Sequence, residues 1–391
     1  MPKRLEQEVW ALDKCCGCGD CVSLCAKGVL FWGADESPAV ERREKALGLS
    51  HTTLDTCTFC QQLCEEGCPR LDDKNEAFSP RNTVSVRTKG IVQSGEPAEV
   101  LKNLLIAALS AGLIDGAILT DIDPWSLKPV VKVASSVREV VDTLAVPVLW
   151  APPLTALNEA IFERHLKHLA VVGTPCVSQA VRKLVSSRNE RLRPYQEAIR
   201  LNIATFCTGI YRPELVGEFL VGKLGVAQPR VKRVEASPRR GDLTVHLWDN
   251  SRVVVPLKDV EGYTRKGCAR CDDYLGESAD LAVGAVGAKD GYCTLITRNQ
   301  TGETFLSNAL GFGLLESCNE VDTAALAQAR TEKERRQRAQ AFDRLTVMML
   351  DALAEPGKRA TVKQAFVRLF EVREPDEQST EEASCVTCAQ C

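Results

Sequence analysis

Short apolar runs alternate with amphipathic segments through the middle of the chain, and this alternation predicts an α/β domain. Residues 97–111 carry apolar side chains at helical spacing, with Pro97 in the first turn, where a helix tolerates proline. The runs 169–172 and 203–206 are short and continuously apolar, which is typical of strands buried on both faces of a parallel sheet. The same pattern predicts further strands at 116–120, 129–134, 146–150, 280–284 and 293–297, and helices at 137–144, 154–166, 177–185 and 213–224.

The later part of the chain shows two other patterns. Residues 231–236, 243–248 and 252–255 alternate apolar and polar side chains, which indicates antiparallel strands. From Val321 onward the chain is charged with a helical pattern, and we interpret 332–338 as a solvent-facing helix surface because acidic residues interrupt the basic ones. No G-x-G-x-x-G or G-x-x-x-x-G-K-S/T motif occurs, so neither a standard dinucleotide site nor a P-loop is predicted.

The composition excludes several classes of protein. The 391 residues include 49 basic and 52 acidic side chains, a formal net charge of −3, so no nucleic acid is expected as a partner. Residues 1–14 carry several charges and no apolar core, which argues against a secretory signal. The longest apolar stretch, 103–114, is shorter than the ~20 residues that span a bilayer. We therefore expect a cytoplasmic protein without a membrane span.

Cysteine is the unusual feature, at 18 residues against 4 histidines. In a reducing cytosol, clustered cysteines more commonly bind metals than form disulfides. One run has the spacing C-x2-C-x2-C-x3-C, and a second run has the spacing C-x2-C-x3-C-x3-C-P. The first spacing is that of bacterial ferredoxins, in which the fourth cysteine of a run ligates the other cluster. We therefore assign one 4Fe-4S cluster to Cys15, Cys18, Cys21 and Cys68, and another to Cys57, Cys60, Cys64 and Cys25.

Zinc is the alternative for these eight cysteines, because paired C-x2-C motifs also suit zinc. Iron–sulfur clusters are favoured, since the two runs are compact and the second ends in Cys68-Pro69. Cys16 is surplus to both runs and is interpreted as an incidental thiol. A third run, Cys385, Cys388 and Cys391, follows an acidic segment and lacks an obvious fourth ligand. We expect that run to lie on a mobile arm.

Two more cysteines lie at the ends of predicted strands. Cys176 and Cys207 each follow one of the buried apolar runs. Because the carboxyl ends of neighbouring parallel strands meet at one edge of a sheet, these thiols can converge there with Cys268 and Cys271. The residues alone leave two interpretations open, a third iron–sulfur site or small buried core residues.

Six short motifs follow one another between Lys89 and Leu306. They are Gly112-Leu-Ile-Asp-Gly116, Gly173-Thr-Pro-Cys176, Cys207, Gly267-Cys-Ala-Arg-Cys-Asp-Asp-Tyr274, Ser278-Ala-Asp-Leu-Ala-Val-Gly284 and Val286-Gly-Ala-Lys-Asp-Gly291. In order and spacing these motifs resemble those of the coenzyme F420 hydrogenase/dehydrogenase beta-subunit family, whose members are iron–sulfur flavoproteins. Segments 94–98 and 147–153 depart from the sequence that is usual in this family.

The resemblance implies an α/β flavin domain that binds one FAD and holds a third 4Fe-4S cluster on Cys176, Cys207, Cys268 and Cys271. Together with the cysteine runs, it divides the chain into three parts. These are a ferredoxin-like 2×4Fe-4S module of the bacterial type at 1–88, the FAD- and 4Fe-4S-binding domain at 89–320, and a helical C-terminal extension with a flexible cysteine-containing tail at 321–391. The candidate flavin contacts are Gly95, Gly173, Lys266, Gly287 and Lys289.

The implied function is that of an oxidoreductase subunit with flavin-centred chemistry. FAD would exchange a hydride with coenzyme F420 or a similar two-electron carrier, and three clusters would relay single electrons to redox partner subunits of a larger complex. The alternative is an electron-transfer adaptor that links ferredoxin to a larger redox complex and has no small-molecule substrate of its own. Neither a catalytic acid–base pair nor a nucleophile triad is visible in the sequence.

Overall fold

A computed structural model describes residues 4–25, 28–33, 37–40, 62–71, 75–90, 93–143, 148–237 and 240–354. The chain divides into two compact units, Met1–Gln337 and Arg338–Cys391. Every site considered below lies in the first unit. None of the helices in the described ranges is long and apolar enough to cross a membrane.

The described residues contain strands in three sheets. The strands are β1 (Leu30–Trp32), β2 (Pro38–Val40), β3 (Asn82–Thr88), β4 (Gly116–Ile122), β5 (Pro129–Ala134), β6 (Leu169–Gly173), β7 (Ile199–Thr205), β8 (Val231–Ser237), β9 (Asp242–Leu247), β10 (Arg252–Pro256), β11 (Leu281–Gly284), β12 (Cys293–Thr297) and β13 (Leu315–Cys318).

The helices are of three kinds. The α-helices are α1 (Asp20–Ser23), α2 (Leu63–Glu66), α3 (Pro97–Ser110), α4 (Val137–Val141), α5 (Pro175–Ser186), α6 (Arg193–Ala198), α7 (Gln300–Gly311) and α8 (Thr323–Ala354). The π-helical segments are Leu5–Trp10, Glu159–Glu163 and Leu215–Lys223, and the 3-10 segments are Pro153–Ala156, Glu190–Leu192, Gln228–Arg230, Leu257–Tyr263 and Lys266–Arg270.

The central sheet has eight strands, in the order β13-β3-β12-β11-β7-β6-β4-β5. The four inner strands β11, β7, β6 and β4 are parallel, and the strands on either side pair antiparallel. The connection from β6 to β7 contains α5 and α6, because parallel neighbours need a crossover. The α/β interpretation is confirmed at the level of a mixed sheet with helices on it.

Both faces of the sheet are covered. Successive residues of a strand point to opposite faces, and in β4 this sends Ala117 and Leu119 into the core that includes α3 and α7, whereas Ile118 joins the core that includes α5. Cys16 and Cys18 belong to that second core. The N-terminal cysteine segment is therefore packed on one face of the α/β domain.

The other two sheets are small. β8, β9 and β10 form a three-stranded antiparallel sheet, which confirms the prediction from alternating apolar and polar positions. Val231, Val245 and Val255 of this sheet share a core with the segment Leu215–Lys223. β1 and β2 pair as an antiparallel hairpin in the N-terminal segment, beside α1 and α2.

The central sheet takes in residues that the sequence boundary at 88/89 assigns to the N-terminal module. β3 lies just before that boundary, and it pairs with β12 on one side and β13 on the other. The sequence pattern did not predict β3, β13 or α7. Of the predicted strand 146–150, residues up to 147 lie outside the described ranges, and Leu149 forms a single bridge to Tyr211.

Candidate functional site

Two of the predicted site cysteines lie where inner strands end. Thr174 is the N-cap residue of α5, directly after β6, and Cys176 is the second residue of that helix. The Thr174 hydroxyl and the Cys176 thiol are 3.1 Å apart. Cys207 follows β7 by two residues, and its backbone N–H donates to the carbonyl of Tyr274. Adjacent parallel strands therefore bring both thiols to the same edge of the sheet.

Cys268 and Cys271 come from a 3-10 turn at that edge, in which the Cys271 N–H donates to the Cys268 carbonyl at 3.1 Å. Burial raises the pKa of Cys207 to about 12; the charge of Lys333 opposes this rise, and the other three thiols add to it. The structure thus brings together the four cysteines predicted for the third cluster, Cys176, Cys207, Cys268 and Cys271, which we call the four-cysteine group.

The N-terminal cysteines form a second neighbourhood of thiols. Burial raises the pKa of Cys21, and the charges of Cys15, Cys68 and Cys64 raise it further. Cys18 is buried beside Cys21 and Cys68, and its pKa is raised to about 11 although a hydrogen bond with Cys16 lowers it. The structure therefore brings together the four cysteines that the sequence assigns to the first ferredoxin-type cluster.

The second ferredoxin-type cluster is described only in part. Cys64 lies in α2, and Cys25 packs against the same apolar cluster. Cys57 and Cys60 fall outside the described residues, and so does the C-terminal cysteine run. The ligand set predicted for this cluster therefore stays a prediction.

Hydrogen bonds fix the N-terminal cysteine segment to the α/β domain. The Trp150 indole N–H donates to the Gly17 carbonyl at 2.9 Å. The Leu154 N–H donates to the Cys18 carbonyl at 2.9 Å, and the Ser23 hydroxyl donates to the Leu154 carbonyl at 2.5 Å. Gly17 has φ +74°, which favours glycine at this contact. These bonds hold the first set of thiols close to the sheet edge that carries the four-cysteine group.

Cys16 lies between the two neighbourhoods of thiols. Its side chain is 8% exposed and hydrogen-bonds with both Cys18 and Cys176. From the sequence we interpret Cys16 as an incidental thiol. In the structure it lies at the contact between the N-terminal segment and the four-cysteine group.

Two buried cations face the four-cysteine group. Arg70 is 8% exposed and Lys333 is 5% exposed. The Lys333 ammonium donates to the Cys207 carbonyl at 2.7 Å. Burial lowers the pKa of Lys333, but interaction with the nearby cysteine side chains, Cys271 and Cys207 first among them, outweighs burial and raises it overall. In the described part of the chain, Nε and Nη2 of Arg70 have no hydrogen-bond partner.

The donor set fits an iron–sulfur cluster. Thiolates are the ligands of such clusters, and a buried cation with unused donors needs an anion beside it. Among the described residues, no three His, Cys, Asp or Glu side chains stand close enough to hold a single metal ion. The four-cysteine group is thus a set of neighbouring thiols with two adjacent cations, and it is not a closed mononuclear site.

A cavity of about 480 Å³ lies next to the four-cysteine group. This volume falls within the roughly 300–1,000 Å³ that small-molecule sites occupy. The first turns of α8 form one wall, and residues near the ends of β7 and β11 form the other. The walls include Tyr274, Gly287, Asp322, Glu332, Lys333 and Arg336. A much smaller cavity, of about 40 Å³, lies beside Cys16 at the ends of β4, β6 and β7.

Three of the five candidate flavin contacts lie in or near the loop after β11. Gly287 lines the 480 Å³ cavity and has φ +87°. Gly95 packs against the backbone of Gly291 and Tyr292, where a Cβ atom would overlap the chain. The Lys289 ammonium lies 4.7 Å from the centre of the Tyr292 ring.

The other two candidate flavin contacts lie elsewhere. Gly173 lines the smaller cavity, and the Lys266 ammonium is 3.4 Å from the Asp13 carboxylate. The structure therefore does not bring the five candidates into one pocket, and of the five only Gly287 lines the 480 Å³ cavity.

Sequence reasoning missed Lys333 and Arg70. Lys333 lies within 332–338, and the interpretation of that run as solvent-facing is wrong for this residue, which is buried. Leu326, two helical turns earlier, is also buried, so the helical period would have placed Lys333 on the packed face. Arg70 follows the last ferredoxin-type cysteine by two residues, and no periodic pattern distinguishes it.

The sequence of the four-cysteine region matches a known family. The family model for the C terminus of the coenzyme F420 hydrogenase/dehydrogenase beta subunit matches residues 166–323. An uncharacterised protein of Methanocaldococcus jannaschii is 33% identical over 353 residues, which cover 85% of this chain and 97% of the relative. The chain belongs to the coenzyme F420 hydrogenase/dehydrogenase beta-subunit family. The resemblance seen in the six motifs is confirmed, and the protein is a member of an oxidoreductase family.

Two relatives are named for their functions. The coenzyme F420 hydrogenase subunit beta of Methanothermobacter thermautotrophicus is 27% identical over 63% of this chain and 85% of the relative. The coenzyme F420-dependent sulfite reductase of Methanocaldococcus jannaschii is 29% identical over 82% of this chain and 50% of the relative. A chain in the F420-reducing NiFe hydrogenase complex of Methanosarcina barkeri has 25% identity and a TM-score of 0.61, over 71% of this chain and 95% of that chain. Sequence and fold therefore point to the same family.

Proposed function

We propose that this protein is an FAD-dependent iron–sulfur oxidoreductase subunit of a redox complex. In this proposal it exchanges an electron pair with coenzyme F420 or a similar two-electron carrier and passes single electrons to a partner. The names of the relatives support the carrier, because an F420 hydrogenase subunit matches 63% of this chain and an F420-dependent sulfite reductase matches 82% of it. The hydrogenase complex among the solved structures supports a partner subunit.

One observation carries the proposal, namely the four-cysteine group with a cofactor-sized cavity beside it. Lys333 belongs to both, since its ammonium binds the Cys207 carbonyl and its side chain lines the cavity. Tyr274 likewise lines the cavity and accepts the Cys207 N–H on its carbonyl. A ring bound in this cavity would therefore lie next to a cluster on the four thiols.

Different residues of the chain would hold the cluster, place a charge and shape the cavity. FAD, when bound, supplies the conversion between two-electron and one-electron chemistry. The thiolates of the four-cysteine group hold the cluster, and Lys333 places a positive charge between that group and the cavity. Gly287 allows α8 to approach the cavity wall, because a Cβ atom on Gly287 would lie 2.8 Å from Leu326 Cγ.

The N-terminal segment provides the route onward from the four-cysteine group. Cys16 hydrogen-bonds with Cys176 and with Cys18, so it connects the two neighbourhoods of thiols. Clusters on Cys15, Cys18, Cys21 and Cys68, and on Cys57, Cys60, Cys64 and Cys25, would continue the relay toward a partner subunit or ferredoxin.

The adaptor function is the second candidate. The observations in its favour are that segments 94–98 and 147–153 depart from the sequence that is usual in the family, and that the chain carries a further cysteine run at Cys385, Cys388 and Cys391. A protein of this kind would hold flavin and clusters without admitting a hydride carrier of its own.

Anaerobic reconstitution tests both candidates. We expect about twelve iron atoms, four for each of three cubanes, and one FAD per chain. Reduced F420, and separately NADPH, is then mixed with the protein while flavin absorbance is recorded. Bleaching by F420 supports the proposed enzyme, and bleaching by neither carrier in a fully loaded protein favours the adaptor. A preparation that takes up neither iron nor flavin overturns both.

Cysteine variants locate the third cluster. Cys207→Ser is expected to lose about four iron atoms, the content of one cubane. Cys318→Ser serves as the matched control, because Cys318 is a partly buried cysteine in β13, on the far edge of the sheet. Equal iron content in the two variants contradicts the assignment of Cys207 as a ligand.

A further inference from the structure

Lys333 is a buried cation whose surroundings call for an anion. It is 5% exposed, and the Cys207 carbonyl is its hydrogen-bond acceptor at 2.7 Å. No carboxylate in the described part of the chain lies within ion-pair distance of its ammonium. A carbonyl dipole alone compensates a buried ammonium poorly, because removing a charge from water is costly without an opposite charge. The cysteines of the four-cysteine group lie close to it, and as ligands of a cluster they would be thiolates that carry negative charge.

Arg70 is a second buried cation of the same kind, supplied by a different segment. It follows the N-terminal cysteine run, is 8% exposed, and has Nε and Nη2 without a hydrogen-bond partner among the described groups. Burial lowers the pKa of its guanidinium, whereas interaction with Cys271, Cys16 and Cys176 raises it. Arg70 and Lys333 therefore reach the four-cysteine group from separate segments.

We propose that Lys333 and Arg70 are positioning residues that raise the reduction potential of the 4Fe-4S cluster on the four-cysteine group. The inference rests on the proposed function, because it requires that cluster. Reduction adds one electron and one negative charge, and no bond forms or breaks. A fixed positive charge stabilises the reduced, more negative form, and it does so strongly where water is excluded. The electron comes from the two-electron carrier of the proposed function.

The consequence is a direction for electron flow. A cluster with a raised potential accepts an electron readily from a ring in the adjoining cavity. Lys333 is well placed for this, because it contacts both the cavity and Cys207. Removing the charge would leave the cluster in place and make its reduction less favourable.

The test is a potentiometric titration of reconstituted full-length protein, followed by the electron paramagnetic resonance signal of the reduced clusters. Cys207→Ser first identifies the signal of the four-cysteine group by its loss. Lys333→Met removes the charge and keeps an unbranched side chain that is one atom shorter. We expect the equilibrium constant for one-electron reduction of this cluster to fall at least tenfold, which corresponds to a reduction potential lower by about 59 mV. Arg70→Met is expected to shift the same signal in the same direction.

Two controls separate charge from structure. Lys333→Arg retains the charge and is expected to stay near the wild-type potential. Arg335→Met removes an exposed guanidinium from the same helix, where solvent and salt screen it, and a much smaller shift is expected. Fully loaded Lys333→Met with the potential of Arg335→Met overturns the inference.

The remaining outcomes are also decisive. If Lys333→Met and Arg70→Met lose the cluster while Lys333→Arg keeps it, the positive charge is needed to hold the cluster and not to set its potential, and the inference falls. If Lys333→Arg loses the cluster as well while circular dichroism shows a folded chain, shape and not charge matters, and the inference falls. Absence of the signal from wild-type protein defeats the proposed function itself, which is a different result from an unshifted potential.

Discussion

Gly267 is the residue at which the loop of the four-cysteine group approaches the N-terminal cysteine segment. A Cβ atom placed on Gly267 would overlap the carbonyl of Cys15, which is backbone and cannot rotate away. The segment around Cys15 is also fixed by the Trp150 bond to Gly17. Contact at this point therefore depends on the absence of a side chain at position 267.

Gly267→Ala is expected to lower the free energy of unfolding, because the added methyl forces the two segments apart. Overpacking of this kind costs about 1–3 kcal/mol. Gly262→Ala is the matched control, since a Cβ atom at Gly262 meets nothing within 4 Å. Urea unfolding monitored by tryptophan fluorescence measures both variants. Equal midpoints would show that the close approach at Gly267 carries no energetic weight.

Single residues also show what sequence can and cannot predict. The positions of Cys176 and Cys207 follow from apolar runs that end just before them, because a parallel sheet sends strand ends to one edge. Cys16 has no such signal, since its importance lies in contacts with Cys18 and Cys176 that only folding creates. The burial of Lys333 is difficult to predict, because its charged neighbours in the sequence do face solvent.

At the level of elements, one carboxylate joins a helix and two strands of the central sheet. Asp280 immediately precedes β11 and accepts hydrogen bonds from the Arg182 side chain in α5 at 2.8 Å and the Asn202 backbone in β7 at 2.8 Å. It also accepts one at 2.6 Å from Asn299, the N-cap residue of α7. Asp280 is 8% exposed, so these bonds form away from water.

Asp280→Ala is expected to lower the free energy of unfolding by about 3–5 kcal/mol, because it leaves Arg182, whose side chain is only 16% exposed, without the carboxylate that it pairs with. Glu197→Ala is the control, since its pair with Arg193 is exposed and such pairs contribute about 0–1 kcal/mol. Chemical denaturation followed by circular dichroism gives both values. A loss for Asp280→Ala no larger than the loss for the control would contradict the role assigned to this carboxylate.

The elements themselves were predictable to different degrees. β6, β7 and α5 follow from local patterns, since an apolar run and a helical period suffice to indicate them. β3 is different because its partners β12 and β13 lie far along the chain, and its sequence mixes Ser85 and Arg87 with valines. Ser85 is fully buried and donates to the Glu320 carbonyl, a compensation that no local pattern predicts.

On the scale of the whole molecule, the division of the chain falls within α8. The compact unit that carries the four-cysteine group extends to Gln337, past the sequence boundary at 320/321. Three contacts join the start of α8 to the rest of this unit. The Asp322 N–H donates to the Gly287 carbonyl at 2.7 Å, Leu326 lies against Gly287, and the Lys333 ammonium donates to the Cys207 carbonyl. The first part of α8 thus belongs to the site, although the family motifs end before it.

Two truncations test this division. A chain ending at Gln337 is expected to keep the thermal midpoint and the iron content of the four-cysteine group, because Leu326 and Lys333 remain. A chain ending at Glu320 loses both side chains, and loss of one buried leucine alone costs about 2–5 kcal/mol. We therefore expect a lower midpoint, together with less iron, for the shorter chain. Differential scanning calorimetry and iron analysis on both proteins decide the matter: matching values would mean that residues 321–337 contribute nothing to the cysteine-bearing unit.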